Sequence, residues 1–349
     1  MVQMMTQDLS ERQKLILALV IRDYIESAKA VSSERLVATF SLDVSTATVR
    51  NELMALTEMG YLRQPHTSAG RVPTEEGYRY FVRQLMGHSD LSSNTKRTII
   101  HQFYQVGPDV DRWMRLAASV LAHQAQAASI VTAPHTEQTH FKHLELISTR
   151  GRQVLMVLVL SGGEVSQQML TLAEPVTQEQ LSEAARFLNG ICHMLSAESI
   201  NNVPTPASAL EQDFLKLIVD EIRRASQNLT GELYHDGITH VLAEPEFGEV
   251  DLARRALRIL EERPLLEDLL NRTVLTSDLG GVQVLIGGEG NWEELRDCSI
   301  VLARYGAPGL ATGTLGVLGP MRMAYGRTIS TVRFVAGLLS DLVEETLLE

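Results

Sequence analysis

The sequence has few of the residues that define disulfide-rich, metal-binding or membrane proteins. Only two of its 349 residues are cysteines, Cys192 and Cys298, which excludes a disulfide framework and makes a CxxC metal cage impossible. No uninterrupted apolar run exceeds seven residues, whereas a membrane-spanning helix needs about 20. Charged residues (Asp8, Glu11 and Arg12) interrupt the stretch where a secretory leader would need its apolar segment. We therefore expect a cytoplasmic protein in a reducing compartment, with two or three domains.

An excess of positive charge is also missing, and this restricts where nucleic acid can bind. The formal net charge is −12, yet residues 1–87 hold ten basic and ten acidic side chains. The rest of the chain therefore carries the whole negative charge. Because an acidic body repels a polyanion, any contact with nucleic acid should lie in the neutral N-terminal segment.

Helix signals in that segment predict a winged helix-turn-helix domain over 1–87. Capping patterns start three helices, at Ser10 with Gln13, at Ser32 or Ser33, and at Ser45. A short extended piece, a glycine-containing loop and a fourth helix follow. Three helices and then a strand, a loop and a return strand form the winged arrangement, in which the third helix lies in the major groove.

The third helix separates apolar from polar residues. Val49, Leu53 and Leu56 fall on one face of a helical wheel, and short polar residues fall near the other. Arginine can hydrogen-bond guanine, and asparagine can hydrogen-bond adenine. An exposed glycine in the loop lets a backbone N–H approach phosphate. The predicted DNA contacts are Ser45, Thr46, Thr48, Arg50, Asn51, His66, Thr67, Ser68, Gly70 and Arg71. The alternative, favoured by the neutral charge, is a protein-interaction module with a solvated third helix.

The remainder predicts a multi-domain α+β chain with one interrupted antiparallel sheet domain. Strand-like patterns cover 141–148, 153–161, 164–172, 282–287, 299–304 and 311–318, with helical patterns between and after them. The predicted boundaries are a linker at 88–98, a first sheet part at 99–195, a mostly helical insertion at 196–275 and a second sheet part at 276–349. Strands near 154 and 284 are expected to pair across the insertion.

Several segments closely resemble the HrcA heat-inducible transcription repressors. The N-terminal match consists of STATVRNEL at 45–53, QPHTSAGRVPT at 64–74 and GYR at 77–79. The C-terminal match consists of VLIG at 284–287 and GVLGPMRMAY at 316–325. Two residues depart from the family pattern, Gly290 where asparagine is expected and Met321 where threonine is usual. Both lie outside the segment predicted to read DNA.

The resemblance implies a specific function. Members of this family are homodimeric repressors of chaperone operons that bind double-stranded DNA at an inverted-repeat operator. They have a winged-helix head, a domain similar to GAF folds and an inserted segment that helps them dimerise. Their activity depends on the chaperonin GroEL, so titration of GroEL by unfolded protein relieves repression. The resemblance implies no catalytic residue, no cofactor, no metal and no membrane.

Other functional classes find weaker support in the residues. Cys192 and His193 are neighbours on one predicted helix, where their side chains diverge by about 100°, so they form no obvious catalytic dyad. His135, His140 and His143 have loosely ligand-like spacing without cysteine partners. A metabolite-responsive regulator with a small ligand in the GAF-like domain is the main alternative function. A structural interaction protein that uses the acidic body is the third.

Overall fold

A computed structural model describes residues 9–348 except 68, 88, 136–138, 162–164, 228–231, 249, 263–264, 267, 271–280, 289–291, 293–294 and 308–310. The chain is a mixed α/β protein with antiparallel sheets. In chain order its elements are α1 (Glu11–Ser27), α2 (Ser33–Phe40), α3 (Thr46–Glu58), β1 (Leu62–Arg63), β2 (Val72–Pro73), α4 (Glu75–Tyr80), a π-helical turn (Phe81–Leu85), α5 (Ser93–Val106), α6 (Val110–Ala125), β3 (Ala128–Thr132), β4 (Phe141–Ser148), β5 (Gln153–Leu160), β6 (Val165–Thr171), α7 (Gln178–Cys192), α8 (Ala197–Ile200), α9 (Ala209–Gln227), β7 (Leu233–Asp236), α10 (Ile238–Ala243), a 3₁₀ turn (Pro245–Gly248), α11 (Val250–Glu261), β8 (Val282–Ile286), β9 (Cys298–Ala307), β10 (Ala311–Pro320) and α12 (Tyr325–Leu348).

The helices of the N-terminal head, residues 9–87, begin where side chains cap them. Ser10 and Gln13 form a reciprocal capping box at α1, and Ser32 and Ser45 accept first-turn backbone N–H groups at α2 and α3. Thr74 does the same for α4. Strands β1 and β2 form a two-stranded antiparallel ribbon. These helix starts confirm the sequence predictions.

Compact packing divides the chain into two units. The first contains residues 1–132, 233–305 and 314–341, and the second contains 133–232, 306–313 and 342–349. The sheet of the first unit has the strand order β7-β3-β10-β9-β8. Its core joins the strand residues Ile130 and Ile300 to the helix residues Phe247 and Ile259, all of them buried.

The second unit has its own sheet, of order β4-β5-β6, with helices packed on one face. Side chains from alternate positions of the strands meet Leu181 and Leu188 of α7 and Phe214 and Ile218 of α9 in a buried core. The opposite face carries six apolar side chains that are exposed or half-exposed. We call this the open face; its apolar residues are Ile147, Leu155, Val157, Val159, Val165 and Met169.

These units do not follow the predicted domain boundaries. The expected pairing of strands near 154 and 284 is wrong, because β5 pairs with β4 and β6 whereas β8 pairs with β9. The meander at 141–171 satisfies its own hydrogen bonds within a separate sheet. Residues 133–232 leave and rejoin the first-unit sheet between two neighbouring strands, because Thr132 of β3 and Leu233 of β7 are register partners.

Two strands were missing from the sequence prediction, and they explain the boundary error. Strand β3 is buried at every position and follows α6 almost directly, so its apolar run reads as a continuation of that helix. Strand β7 spans only four residues. Among the described residues, no helix combines the length and the apolarity needed to cross a bilayer.

Candidate nucleic-acid interface

Helix α3 is fixed to the head by one face and exposes the other. Val49, Leu53 and Leu56 are buried, whereas Arg50 and Asn51 are exposed. Ser45 caps the helix by accepting a hydrogen bond from the Thr48 backbone N–H, and the two hydroxyls lie 2.9 Å apart. The wheel prediction for the buried face is confirmed. The helix thus presents a guanidinium and an amide to solvent from a rigid backbone.

An acidic residue from α2 meets the exposed arginine of α3. Arg50 Nη2 donates to Glu34 Oε1 at 2.8 Å, although 70% of the Arg50 side chain and 60% of the Glu34 side chain remain exposed. The pKa of Glu34 is lowered, first because its carboxylate accepts a hydrogen bond from its own backbone N–H, then because of Ser32 and Arg50. Glu34 therefore stays ionised and restrains Arg50 while leaving it accessible.

The β1–β2 loop, residues 64–71, is held in shape by one amide side chain. Gln64 Nε2 donates to the carbonyl oxygens of Thr67 and Ala69, at 2.9 and 3.0 Å. At the end of the loop the backbone of Gly70 packs against the chain at Val31, since an added Cβ would lie 2.4 Å from the Val31 carbonyl oxygen. Only glycine permits this close approach.

Arg71 links the loop to helix α3. Its backbone exchanges two hydrogen bonds with Val31, at 2.9 and 2.8 Å, which adds a third extended segment beside the ribbon. Its side chain donates from Nε to Thr57 Oγ1 at 2.9 Å. Thr57 in turn donates to the Leu53 carbonyl oxygen within α3. The loop and the helix are therefore braced against each other.

The structure brings four of the predicted DNA contacts, Arg50, Thr67, Gly70 and Arg71, together at one cleft of the head. A cleft of about 290 Å³ between α2, α3 and the loop is lined by Glu34, Arg50, Gln64, Thr67, Gly70 and Arg71, among others. Three more predicted contacts are exposed to solvent: Ser45, Thr46 and His66. Ser68 lies outside the described residues.

Sequence reasoning missed two residues of this surface, Glu34 and Gln64. An acid in the first turn of α2 and a glutamine at the start of the loop were the available signals, but neither reveals its partner. Both act on predicted contacts: Glu34 restrains a side chain of α3, and Gln64 shapes the loop.

The residues considered for other chemistry include two buried cysteines and two surface histidines with polar contacts. Burial raises the pKa of the Cys192 thiol to about 11 and, together with Asp297, that of Cys298 to about 12. His143 Nε2 lies 2.9 Å from Glu145 Oε1 on the surface, and His193 Nδ1 contacts the Lys142 carbonyl oxygen. Among the described residues, no three histidine, cysteine or acidic side chains are grouped as metal ligands would be.

Comparison with known proteins agrees with the resemblance seen in the sequence. Residues 111–329 match the family model described as the HrcA protein C-terminal domain. The heat-inducible transcription repressor HrcA of Roseiflexus castenholzii is 47% identical, over 98% of this chain and 96% of that protein. The repressors of the same name from Herpetosiphon aurantiacus and Thermomicrobium roseum are 46% and 41% identical, over 96% and 98% of this chain and 96% and 97% of theirs.

A solved structure shares the fold along nearly the whole length. The crystal structure of a hypothetical protein superposes with a TM-score of 0.57 at 23% identity and covers 97% of this chain and 98% of its own. With these findings the protein is placed among the non-enzymatic transcription regulators. The chain belongs to the HrcA family of heat-inducible transcription repressors.

Proposed function

We propose that the head is a winged helix-turn-helix domain that binds an operator, with α3 in the major groove and the β1–β2 loop as the wing beside it. The observation that carries this proposal is the exposure of Arg50 and Asn51 on α3, whose other face is buried, next to a loop braced by Arg71. Arginine and asparagine are the side chains that address guanine and adenine bidentately. The protein would repress by occupying a promoter, without catalysis, in the cytoplasm.

The operator we propose is an inverted repeat read by a homodimer, since a two-fold protein matches a two-fold site. The open face of the second unit supports a dimer. Ile147, Val165 and Met169 are 44%, 52% and 55% exposed there. Grouped apolar side chains on a sheet favour burial against another surface. In the helices that the sequence offers for this role, Phe214 and Ile218 of α9 and Leu266 and Leu269 of the later segment are buried, so these side chains are not free to form an interface.

We also propose that the chaperonin GroEL keeps the repressor competent to bind. Strand β5 supplies alternate apolar side chains to the core and to the open face, so its opening would expose both sets at once. The first-unit sheet can close only after β3 and β7 have met across residues 133–232, and such distant pairing slows folding. A chain that folds slowly and exposes apolar strands has the properties of a chaperonin substrate.

The experiment that tests operator binding is fluorescence anisotropy with three duplexes: an inverted repeat from upstream of a chaperone operon, the same bases scrambled, and an isolated half-site. Tighter binding of the inverted repeat than of either control, with a steep dependence on salt, is expected. Equal affinity for the repeat and the scrambled duplex at all salt concentrations would refute the proposal.

The chaperonin step is tested separately. The protein is diluted from mild denaturant with GroEL and ATP, with GroEL alone and with neither, and the fraction that binds operator is measured over time. We expect complete recovery only with GroEL and ATP. Rapid and complete recovery without the chaperonin, at growth and heat-shock temperatures alike, would exclude this role.

A further inference from the structure

An arginine in the C-terminal motif joins three separate stretches of the first unit. Arg322 lies in the turn between β10 and α12, and only 13% of its side chain is exposed. Its Nε donates to Glu246 Oε1 at 2.5 Å, and its Nη2 donates to the carboxylate of Glu244. Its Nη1 donates to the carbonyl oxygen of Ile25 at 3.3 Å. Ile25 belongs to the last turns of α1, so this contact reaches the head. We call the set the Arg322 clasp.

Further contacts follow the same boundary between the head and the sheet of its unit. Arg79 of α4 donates from Nε and Nη2 to the Ile286 carbonyl oxygen, at 3.2 and 2.8 Å. The rings of Tyr78 and Tyr325 lie 6.1 Å apart between centroids. Burial, and next the Glu246 carboxylate, raise the pKa of the Tyr24 phenol of α1. The clasp thus belongs to a larger contact surface between the head and the sheet of the first unit. Among the described contacts, it is the one in which an arginine binds two glutamates and also the backbone of α1.

The energetics of the clasp favour a fixed geometry. A guanidinium presents its donors in a rigid fork, so partners on three sides fix its position closely. Removing it would leave Glu244 and Glu246 together, partly buried and without their counter-ion, and like charges so placed repel. Glu246 Oε2 is already buried without a hydrogen bond to any described residue. We therefore expect the contacts of the clasp to form together and to be lost together.

We propose that Arg322 is a positioning residue that fixes the orientation in which the head meets DNA. The inference rests on the proposed reading of an inverted repeat by two heads. Such a dimer binds both half-sites at full strength only if each head is held at the angle that the spacing demands, because a loosely held head loses effective concentration at its half-site. The Arg-Met pair of the motif, Arg322 and Met323, would then serve DNA reading from a distance.

The test compares wild type with Arg322→Ala on the native operator, on an operator whose spacer is longer by half a helical turn, about 5 base pairs, and on an isolated half-site. Wild type should strongly prefer the native spacing. In Arg322→Ala that preference should shrink roughly tenfold, while half-site affinity stays within about twofold. Arg322→Lys, which keeps the charge but not the fork, should be intermediate. Arg327→Ala is the matched control, because this exposed arginine of α12 donates from Nη2 to Gln124 Oε1, at 2.9 Å, on the surface of the same unit.

A second measurement does not depend on DNA. Spin labels at Asp43→Cys in the head and Arg254→Cys in α11 report the distance across the boundary, in dimers diluted with unlabelled chain. The distance distribution should broaden in Arg322→Ala and in the milder Glu246→Gln, but not in Arg327→Ala. An unchanged distribution overturns the proposal, and so does a broadened one with an unchanged spacing preference. Failure of the wild-type protein to prefer an inverted repeat would instead refute the proposed function, which separates the two results.

Discussion

The head and the second unit expose opposite kinds of surface. Helix α3 and the β1–β2 loop turn charged and amide side chains to solvent, whereas the β4–β6 sheet turns valine, leucine and methionine outward on its open face. Exposure of a polar surface to water costs little free energy, because its groups stay hydrated until a polyanion replaces the solvent. For an apolar face, by contrast, burial against another surface lowers the free energy, so lasting burial is favoured. The difference fits the two proposed contacts, a reversible one with DNA at the head and a lasting one between copies at the open face.

The largest expected effect comes from placing a charge on the open face. Val157→Lys puts an ammonium at the centre of that face, on the middle strand, where burial against a second copy would be prohibited. We expect monomers in analytical ultracentrifugation and a loss of operator affinity of roughly 100-fold or more, because the two heads no longer bind together. Gln105→Lys, the same charge change at an exposed site of α5, is the control. A dimer of undiminished affinity would place the interface elsewhere.

The next effect separates base reading from phosphate contact within the head. Arg50→Ala should cost about 1–3 kcal/mol on the operator and relax base preference, because a bidentate base contact is lost. Arg71→Ala should weaken operator and random DNA alike and lower the salt slope by about one unit. Competition titrations at several salt concentrations measure both quantities. An Arg50 variant that binds the operator as wild type does would remove Arg50 from the base-reading residues.

A smaller effect tests the close packing of the loop against the backbone at Val31. In Gly70→Ala the new methyl would meet the Val31 carbonyl oxygen, so the loop must shift away from the strand beside it. Operator affinity should fall about fivefold to tenfold and the midpoint of thermal unfolding should decrease, since the strained backbone is destabilised. Gly87→Ala has open space for its methyl and should change neither value. Equal behaviour of the two variants would show that the loop tolerates the shift.

The smallest effect concerns the acid that restrains Arg50. Glu34→Gln removes a negative charge and the ion pair, so operator affinity should rise roughly twofold to fivefold. Asp43→Asn, an equal charge change at another exposed site of the head, measures the general charge effect. The gain specific to Glu34 should disappear in the Arg50→Ala background, where no guanidinium is left to release. If both acids give the same gain in both backgrounds, Glu34 acts only through its charge.

The same two regions show what sequence reasoning can reach. The helices of the head begin at Ser10, Ser32 and Ser45, and capping is decided by residues three positions apart, so local pattern suffices. The strands of the second unit were also located correctly. Their assignment to one sheet with the C-terminal strands failed, because strand pairing depends on partners distant in sequence and β3 gave no signal of its own.

The site divides in a similar way. The polar face of α3 follows from helical periodicity, so the exposure of Arg50 and Asn51 could be predicted. Contacts between elements could not, and these include Arg50 with Glu34, Arg71 with Thr57 and Arg322 with Ile25. Each contact joins residues at least 14 positions apart. The sequence around an arginine does not reveal which distant residue becomes its partner.

The register of β3 with β7 gives residues 133–232, the main segment of the second unit, an unusual freedom. Because Thr132 and Leu233 face each other across neighbouring strands, the chain leaves the sheet and returns to it at one point, as at the turn of a β-hairpin. A segment so attached can lengthen, shorten or change its exposed face without altering the strand order of its host. A flexible loop's closure entropy grows only slowly with length, and a folded insert with adjacent ends escapes most of even that cost. Relatives could thus exchange one exposed face for another while keeping the same head, the part proposed to bind DNA.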